Sequence, residues 1–440
     1  MSSVPLRRTL TTLTLVFVMF FNVSGGAFTT ETLIVSTGPG LGLLILILVP
    51  LLWSLPEALI VAELASMLPD EGGYYRWVYR AFGPFWAFQN GWWTWMYSLV
   101  DMAIYPVLFN QYLAYFFPGL SGMDQWVIAL VVIWTATAIN LRGAGRVGIV
   151  SVAAGAFILI VFGALSLAAI PHFTHLPWKP FALPEAQGMG GLGIGLSIAL
   201  WNYIGWDNAS TVQGEVVDAT RSYPRALALT LPLVVLGYLI PLTATLGASD
   251  WTTWKEGGWP AIAMMSGGIL GIPLAILVAI AGMVSALALF NALLLSYSRI
   301  PFAMALDGLL PASLAHADDR GTPRSAVLIS AVFYSLFALL SFVHLVVADV
   351  LLYSMALFLE FGALIALRIR EPGLRGAFRI PTGTAGVCVL AAIPMLILLV
   401  VTELSFRDGE YGFPAVIGAG VAVALGPAAY RVFVRPARLS

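Results

Sequence analysis

The chain has 440 residues, of which 60% are hydrophobic and only 10% are charged. Soluble domains carry about 25% charged residues, so this composition excludes a soluble globular protein and indicates an integral membrane protein. The formal net charge of −1 gives no indication of nucleic-acid binding. With Cys388 as the one cysteine and no metal-ligand spacing, the sequence predicts no intrachain disulfide, no metal site and no cofactor.

Twelve segments are apolar and long enough to cross a bilayer, which takes about 20 helical residues. The first follows Arg7 and Arg8 as a signal peptide would, but it is too long and lacks a convincing cleavage site, so we interpret it as a membrane helix. We predict the spans at approximately 10–37, 41–67, 85–113, 124–140, 147–170, 190–213, 225–247, 260–296, 325–344, 347–368, 384–405 and 412–433.

The basic residues fall almost entirely on one side of this map. Of the 21 lysines and arginines, all except Lys179, Lys255 and Arg407 lie on the side that also holds both termini. Positive residues concentrate in the cytoplasmic loops of membrane proteins. We therefore predict a multi-pass protein of the cell membrane with both termini in the cytoplasm.

Two of the predicted spans are interrupted by residues that helices avoid. The first interruption is NVSGGAF at 22–28 and the second is WNYIGWDN at 201–208. Backbone that leaves the helix at membrane depth is tolerated only where it lines a cavity or is buried in protein. We expect both breaks to line a binding site, with close helix packing by small residues as the alternative for the first.

The breaks occur in the first and sixth spans, which start on opposite sides of the membrane. Five helices from each start give two units of opposite topology. We predict one membrane domain, 1–440, that contains inverted repeats at 9–170 and 190–369 and two further helices within 384–433. Interrupted helices at matching positions of such repeats mark the binding site of secondary transporters.

Short motifs at separate places along the chain support this interpretation. They are LPDEGGYYRW at 68–77 with AFGP at 81–84, GEV at 214–216 with YPRA at 223–226, and LEF at 359–361 with LR at 367–368 and RGAFRIP at 375–381. These motifs resemble those of the amino acid–polyamine–organocation superfamily. The resemblance implies an all-α integral membrane protein of twelve transmembrane helices, with a LeuT-type 5+5 inverted repeat in which helices 1 and 6 are broken.

A second set of motifs resembles the polyamine/amino acid–proton symporter group within that superfamily. It comprises SGGAF at 24–28 with Glu31, WSLPEAL at 53–59, GWW at 91–93, Asp101 with YP at 105–106, LWNY at 200–203 and WD at 206–207. The resemblance implies a small amine or amino acid as substrate and a proton as the coupling ion.

The first break is a candidate substrate site through its backbone. We predict that Ser24, Gly25, Gly26 and Ala27 present N–H groups at the start of a half-helix, where partial positive charge suits a substrate carboxylate. Glycine permits the backbone dihedral angles that such a break requires and lets a ligand approach closely.

The second break offers four candidate substrate-binding side chains, Asn202, Tyr203, Trp206 and Asp207. An aromatic face can hold an alkyl chain or stack on a cation, although Trp206 could equally pack within the bundle. A charge at membrane depth costs at least about 3 kcal/mol, so Asp207 needs a cavity, a partner or a proton.

The remaining candidates are acids in predicted spans. Asp101 shares a helix face with Tyr105, and we predict that both contact the substrate. Glu31, Asp101 and Asp207 are the candidates for proton coupling. Glu57 and Glu360 can serve function or form structural charge pairs, and Arg368 is the candidate partner of Glu360.

We predict a secondary active transporter that moves a polyamine or amino acid across the bilayer by alternating access, coupled to protons. Sodium as the coupling ion, symport against exchange, and the oligomeric state stay open. A transporter or exchanger of neutral amino acids is the alternative within this fold, and a membrane sensor that binds the same ligand is the alternative from another class. A membrane-embedded enzyme is disfavoured because four scattered histidines and one cysteine supply no catalytic set.

Overall fold

The computed structural model of the chain describes residues 6–184, 189–319, 321–338, 342–407 and 412–434. Within these ranges it contains no β-strand, and an isolated parallel bridge joins Leu10 to Val216. The α-helices of the described chain are α1 (Thr12–Val23), α2 (Thr30–Thr37), α3 (Pro39–Val49), α4 (Leu55–Met67), α5 (Tyr74–Phe82), α6 (Pro84–Leu113), α7 (Gly122–Asn140), α8 (Ala144–Ala169), α9 (Met189–Trp201), α10 (Ala219–Ala248), α11 (Trp259–Ser266), α12 (Gly271–Tyr297), α13 (Arg299–Leu306), α14 (Arg324–Phe337), α15 (Phe342–Arg370), α16 (Thr384–Arg407) and α17 (Gly412–Phe433).

Several helices of the described chain have the length and composition to cross a membrane, as expected for a multi-pass membrane protein. Seven meet both conditions: Pro39–Met67, Gly122–Asn140, Ala144–His172, Ala219–Ala248, Gly268–Leu306, Leu352–Arg370 and Thr384–Leu404. The total of twelve spans and the inverted repeat stay predictions. The interrupted segments form short helices, such as α1 with 12 residues and α9 with 13.

The first predicted span is interrupted as the sequence indicates. Thr11 caps the start of α1 by accepting a hydrogen bond from the Thr14 N–H. Helix α1 ends at Val23, and Gly25 and Gly26 follow with φ values of 70° and 110°. These left-handed dihedrals end the helix, and α2 resumes the path after them.

The sixth predicted span also breaks, but it does not resume as an α-helix. Helix α9 ends at Trp201, and Gly205 turns the chain with a φ of 99°. The chain continues from Asn208 to Glu215 as tighter 3₁₀ turns, with Val212 outside helical dihedrals. The sequence predicted helix as far as residue 213, so the far side of this break differs from that expectation.

Proline shapes the second span. The five residues Pro50–Ser54 form a π-helical turn between α3 and α4. Because Pro50 has no N–H, it cannot bond to the carbonyl of Leu46 one turn earlier. The Tyr203 hydroxyl donates to that carbonyl at 2.9 Å, which ties the π-helical turn to the second break.

The helix boundaries differ from the predicted spans in three places. The predicted span 260–296 is divided into α11 and α12, because Gly267 ends α11 and Gly268 follows with a φ of 54°. Helix α15 begins at Phe342, earlier than the predicted start at 347. Helices α5 and α13 occupy stretches that the sequence assigned to loops, and α5 buries Tyr74 and Trp77 against the bundle.

Six helices enclose the centre of the bundle. Helix α6 packs along α15 and α12, and α12 also packs on α8. Helix α1 lies against α8 and α10. Ser24 of the first break and Asn208 of the second lie around Tyr97 and Asp101, so both breaks come to the middle of α6.

Ion pairs stabilise the end of the bundle that holds Arg76 and Arg299, which we call the arginine-rich end. Arg299 donates to Glu215 at 2.7 Å, and Glu71 lies 3.9 Å from the same guanidinium group. Burial, followed by the negative charge of Glu215, raises the pKa of the Glu71 carboxyl above its usual range. Arg76 pairs with Asp307 at 2.5 Å, and this second pair is half-buried.

The partner of Arg368 is Glu63, not Glu360. Two nitrogens of Arg368 donate to the Glu63 carboxylate at 2.7 and 2.5 Å, and both side chains are 2% exposed. Eight residues separate Glu360 from Arg368, which is roughly 12 Å along a helix, so the two groups on α15 lie too far apart to pair directly.

Candidate functional site

A small polar cavity lies where the two breaks meet α6, α12 and α15. Its free space of about 20 Å³ has room for about one water molecule. A larger ligand can therefore enter only if the walls move apart. The cavity is lined by Asn22, Val23, Ser24, Tyr97, Asp101, Tyr105, Trp201, Ile204, Gly205, Asn208, Leu289, Tyr297 and Tyr353.

Asp101 is the acidic side chain in the wall of this cavity, and it is 4% exposed. Its Oδ1 accepts a hydrogen bond from the Tyr105 hydroxyl at 2.5 Å, and its Oδ2 accepts one from the Tyr297 hydroxyl at 2.7 Å. Tyr105 reaches Asp101 from one turn further along α6. Among the ion pairs of the described residues, none involves Asp101. The Asp101 carboxyl group therefore accepts two hydrogen bonds but has no basic partner among the described residues.

Aromatic rings surround this carboxyl group. The Tyr97 ring meets Tyr297 and Tyr353 edge-on, with 5.5 Å between ring centroids in each pair. Trp201 stacks on Tyr105 with 6.4 Å between centroids. Aromatic faces attract cations. An acid among ring faces is a setting that suits an ammonium group.

The N–H groups of the first break are mostly used within the protein. Those of Ser24 and Gly25 donate to the carbonyl of Phe20 and cap α1, and that of Gly26 donates to the Ser24 hydroxyl. The Ala27 carbonyl accepts a hydrogen bond at 2.8 Å from the indole of Trp259, outside the cavity. Of the four predicted residues in this break, Ser24 lines the cavity.

Asn22 contributes an acceptor that has no partner within the described chain. Its Nδ2 donates to the Ser296 hydroxyl at 2.9 Å, and this contact orients the amide. Its Oδ1 is buried beside the cavity without a hydrogen-bond partner among the described residues. A ligand donor can satisfy this oxygen, since a buried carbonyl left unpaired costs free energy.

Three predicted residues of the second break brace the fold instead of lining the cavity. Asn202 accepts a hydrogen bond from the Thr29 hydroxyl at 3.1 Å, which links the two breaks. The Tyr203 carbonyl accepts one from the indole of Trp206 at 2.8 Å. Trp206 is fully buried and lies outside the cavity wall. Its position corresponds to the bundle-packing alternative that the sequence left open.

Asp207 lies behind the cavity, in a second group of acids. The Tyr353 hydroxyl is 2.6 Å from Oδ1 of Asp207 and 2.6 Å from Oε1 of Glu57. The Glu360 carboxyl also interacts with that of Asp207. We call Glu57, Asp207, Glu360 and Tyr353 the acid cluster. Tyr353 lines the cavity as well, so it separates the acid cluster from Asp101.

Glu31 lies apart from both groups, on the first turn of α2. It is fully buried, and its Oε1 accepts a hydrogen bond from the N–H of Gly257 at 3.0 Å. Trp259, from the same connection between α10 and α12, contacts the carboxyl group as well. The structure therefore brings Ser24, Asp101 and Tyr105 together and places Glu31 elsewhere.

Sequence reasoning missed two tyrosines of the site. Tyr297 ends α12 and Tyr353 lies within α15, and neither has a neighbour in the sequence that predicts its partner. The available signal was a phenol inside an apolar span, because a buried tyrosine hydroxyl normally finds a hydrogen-bond partner. Trp201 and Asn208 lie within the predicted break, but the sequence did not distinguish them from their neighbours.

The described residues contain no group of His, Cys, Asp or Glu side chains arranged to hold a metal ion. The cavity instead presents hydrogen-bond acceptors and aromatic faces. Such a lining can desolvate and hold an organic cation, and its location between interrupted helices is where secondary transporters bind their substrates.

Comparison with known proteins agrees with this geometry. A family model for amino acid permeases matches residues 10–421 of the chain. A probable polyamine transporter from Arabidopsis thaliana is 38% identical over 401 residues, which cover 90% of this chain and 82% of that protein. A polyamine transporter from Oryza sativa subsp. japonica is 36% identical over 401 residues, covering 90% of this chain and 74% of that protein.

These matches confirm the superfamily resemblance seen in the sequence motifs. The family model extends over nearly the whole chain, and the relatives align over most of their own length. The chain therefore belongs to the amino acid permease family and is a membrane transporter, not an enzyme.

Proposed function

We propose that the chain is a secondary active transporter that moves a small amine, with a polyamine as the best-supported substrate, across the cytoplasmic membrane. The observation that carries this proposal is the cavity with Asp101 among aromatic rings, where the acid has no basic partner in the described chain. The relatives with 36% and 38% identity are named as polyamine transporters. Because both relatives align over 90% of this chain, they support a substrate of the same class.

The first break favours an amine over an amino acid. A substrate carboxylate would need several free N–H donors, and three of the four predicted ones, those of Ser24, Gly25 and Gly26, already have acceptors. An ammonium group needs acceptors, which Asp101 and the unpaired Oδ1 of Asn22 provide. In this proposal the ammonium binds Asp101 and Tyr105, while the breaks shape the pocket.

The transport mechanism is alternating access between two inverted repeats of five helices, within a bundle of twelve spans whose termini both lie in the cytoplasm. Two observations support this part of the proposal. The two breaks contact each other through Thr29 and Asn202. The cavity is too small for a polyamine as it stands, so movement of its walls has to accompany binding.

Proton coupling completes the proposal, with Glu31, Asp101 and Asp207 as the carboxyl groups predicted to take part. Each of the three is at most 4% exposed. A buried carboxylate without a basic partner is costly, so proton binding or cation binding lowers its free energy. A transporter can use that exchange to couple the two fluxes.

Uptake into proteoliposomes tests the substrate. We expect net uptake of labelled spermidine or putrescine that exceeds uptake of arginine, leucine or phenylalanine and rises with an inward proton gradient. Asp101→Asn keeps the side-chain shape but removes the charge. Hydrogen bonds to charged groups contribute about 1.5–3 kcal/mol, so the KM for spermidine should rise at least roughly tenfold.

Asp124→Asn is the matched control, because Asp124 caps the start of α7 at an exposed position. It should leave the KM unchanged. Uptake of leucine in place of any polyamine, or an unchanged KM in Asp101→Asn, would contradict the proposed substrate site. Binding of spermidine without net flux under any gradient would favour a sensor.

A further inference from the structure

We propose that the coupling proton is held by the acid cluster, shared between Glu57 and Asp207 through the Tyr353 hydroxyl, while Asp101 binds the substrate. The inference rests on the proposed function of proton-coupled amine transport. It adds Glu57, Glu360 and Tyr353 to the machinery and separates the site of the proton from the site of the ammonium group.

The hydrogen bonds around the Tyr353 hydroxyl require a proton on one of the neighbouring acids. Its oxygen accepts a hydrogen bond from the N–H of Gly205 at 3.0 Å. It is also 2.6 Å from Oε1 of Glu57 and 2.6 Å from Oδ1 of Asp207. A phenol has one proton to donate. It can donate to one carboxyl oxygen only, so the other carboxyl must carry a proton and donate to the phenol oxygen.

The groups that face the acid cluster add no positive charge. Helix α5 contributes Tyr74 and α10 contributes Tyr223, and both lie within the electrostatic range of Asp207 and Glu360. Helix α6 contributes Tyr97, beside Tyr353. Among the described residues, the titratable neighbours of the cluster are therefore phenols or carboxyls. No arginine, lysine or histidine of the described chain forms an ion pair with the cluster.

Two further oxygens in the cluster have no hydrogen bond within 3.5 Å to any described residue. They are Oε2 of Glu57 and Oε2 of Glu360, and both side chains are fully buried. Ionising all three acids together would bury three like charges at close range, which a low-dielectric interior strongly opposes. The cluster therefore holds at least one proton while it stays closed.

The cluster also connects the proton to the moving part of the fold. Glu57 on α4 accepts a hydrogen bond from the N–H of Trp206 at 3.2 Å, and Tyr353 on α15 accepts the one from Gly205. Both amides belong to the second break. When the shared proton leaves, one further negative charge stays between Glu57 and Asp207. Their repulsion weakens the contact that holds the break against α4 and α15.

Glu57→Gln tests this location, because its amide can donate permanently to Tyr353 as the protonated acid does. In proteoliposomes held at zero membrane potential, an inward gradient of one pH unit can support about tenfold accumulation for each coupled proton. We expect wild-type protein to concentrate spermidine under this gradient. Glu57→Gln should lose that response, so that uptake with and without the gradient becomes equal. Exchange of labelled for unlabelled spermidine at equal pH should continue.

Tyr353→Phe is the second variant, and it removes the hydroxyl that the two acids share. It should also lower the gradient response of spermidine uptake. Because Tyr353 lines the cavity as well, thermal unfolding in detergent, not exchange activity, shows whether this variant is folded. Tyr334→Phe is its matched control, because Tyr334 is equally buried on α14 and donates to the Ser98 hydroxyl. Exchange activity shows that Glu57→Gln and Tyr334→Phe are folded.

The outcomes separate this inference from the function on which it rests. No spermidine flux in the wild type would refute the proposed function and the inference with it. Coupled wild-type transport with a full gradient response in both variants would refute the inference alone. A Glu57→Gln variant with weaker spermidine binding and an intact gradient response would also refute it, since the cluster would then bind an ammonium group.

Discussion

Gly205 makes the sharpest turn of the second break, in contact with the end of α1. Its φ is 99°, and a β-carbon at this position would collide with the carbonyl oxygen of Asn22. The same residue donates its N–H to Tyr353. Through this one glycine, the second break contacts both the first break and the acid cluster.

Gly205→Ala should lower both stability and transport. An alanine in this backbone region costs about 1–3 kcal/mol of strain, and the contact with Asn22 adds to that cost. Thermal unfolding in detergent measures the loss. Gly119→Ala is the matched control, because Gly119 has a φ of 95° and no described atom lies within 4 Å of the added carbon. Equal losses in the two variants would show that the contact with Asn22 is unimportant.

At this scale the sequence predicted acids more readily than their partners. An acid in an apolar span is conspicuous because burying a charge is costly, and Asp101 and Asp207 were identified for that reason. Tyr105 followed from its spacing on the same helix. Tyr297 and Tyr353 reach the site from helices far away in the sequence, so only tertiary packing reveals them.

The ends of α4 and α15 are joined by one buried contact. Glu63 on α4 accepts two hydrogen bonds from Arg368 on α15 and one from the N–H of Ile380 at 2.8 Å. Arg368 also donates to the carbonyl of Thr382 at 2.7 Å. The ion pair between Glu63 and Arg368 therefore connects α4, α15 and the segment after α15.

Glu63→Gln should destabilise the protein by about 3–5 kcal/mol, because Arg368 would remain buried with no negative partner. Combining it with Arg368→Gln should cost less than the sum of the two single changes, and thermal unfolding of all four forms measures the difference. Arg80→Gln breaks the exposed pair with Glu371 and should change the melting temperature far less. Additive losses in the double variant would show that the two buried groups do not interact.

At the scale of elements, the breaks were predictable and the short helices were not. Asn, Ser and paired Gly residues inside an apolar run leave few helical alternatives, so the interruption at 22–28 could be placed from sequence. Helices α5 and α13 have only nine and eight residues, too few to stand out as spans, and α5 also contains two arginines. Their burial depends on neighbours such as α6, which no local pattern encodes.

On the scale of the whole molecule, the N-terminal segment is attached to the chain beyond the second break. The N–H groups of Thr9 and Leu10 donate to the Glu215 carbonyl at 2.8 and 3.0 Å. Val217 returns a hydrogen bond to the Leu10 carbonyl at 2.9 Å. This connection closes the arginine-rich end of the bundle.

A disulfide across this connection should stop transport. Bridged residues lie about 5 Å apart, within the range that a disulfide spans, so Leu10→Cys with Val216→Cys can be oxidised in a Cys388→Ala background. We expect oxidation to abolish spermidine uptake and reduction to restore it, because alternating access requires this end to open. Each single cysteine variant serves as a control. Full uptake by the oxidised double variant would show that this end stays closed throughout the cycle.

The bridge between Leu10 and Val216 also has a consequence for biosynthesis. Ribosomes add about 5–20 residues per second, so Val216 is made roughly 10–40 seconds after Leu10. Throughout that interval the amides of Thr9 and Leu10 must be satisfied by water instead of by Glu215. Thr9 and Leu10 thus reach their final place late, after Glu215 and Val216 have been synthesised.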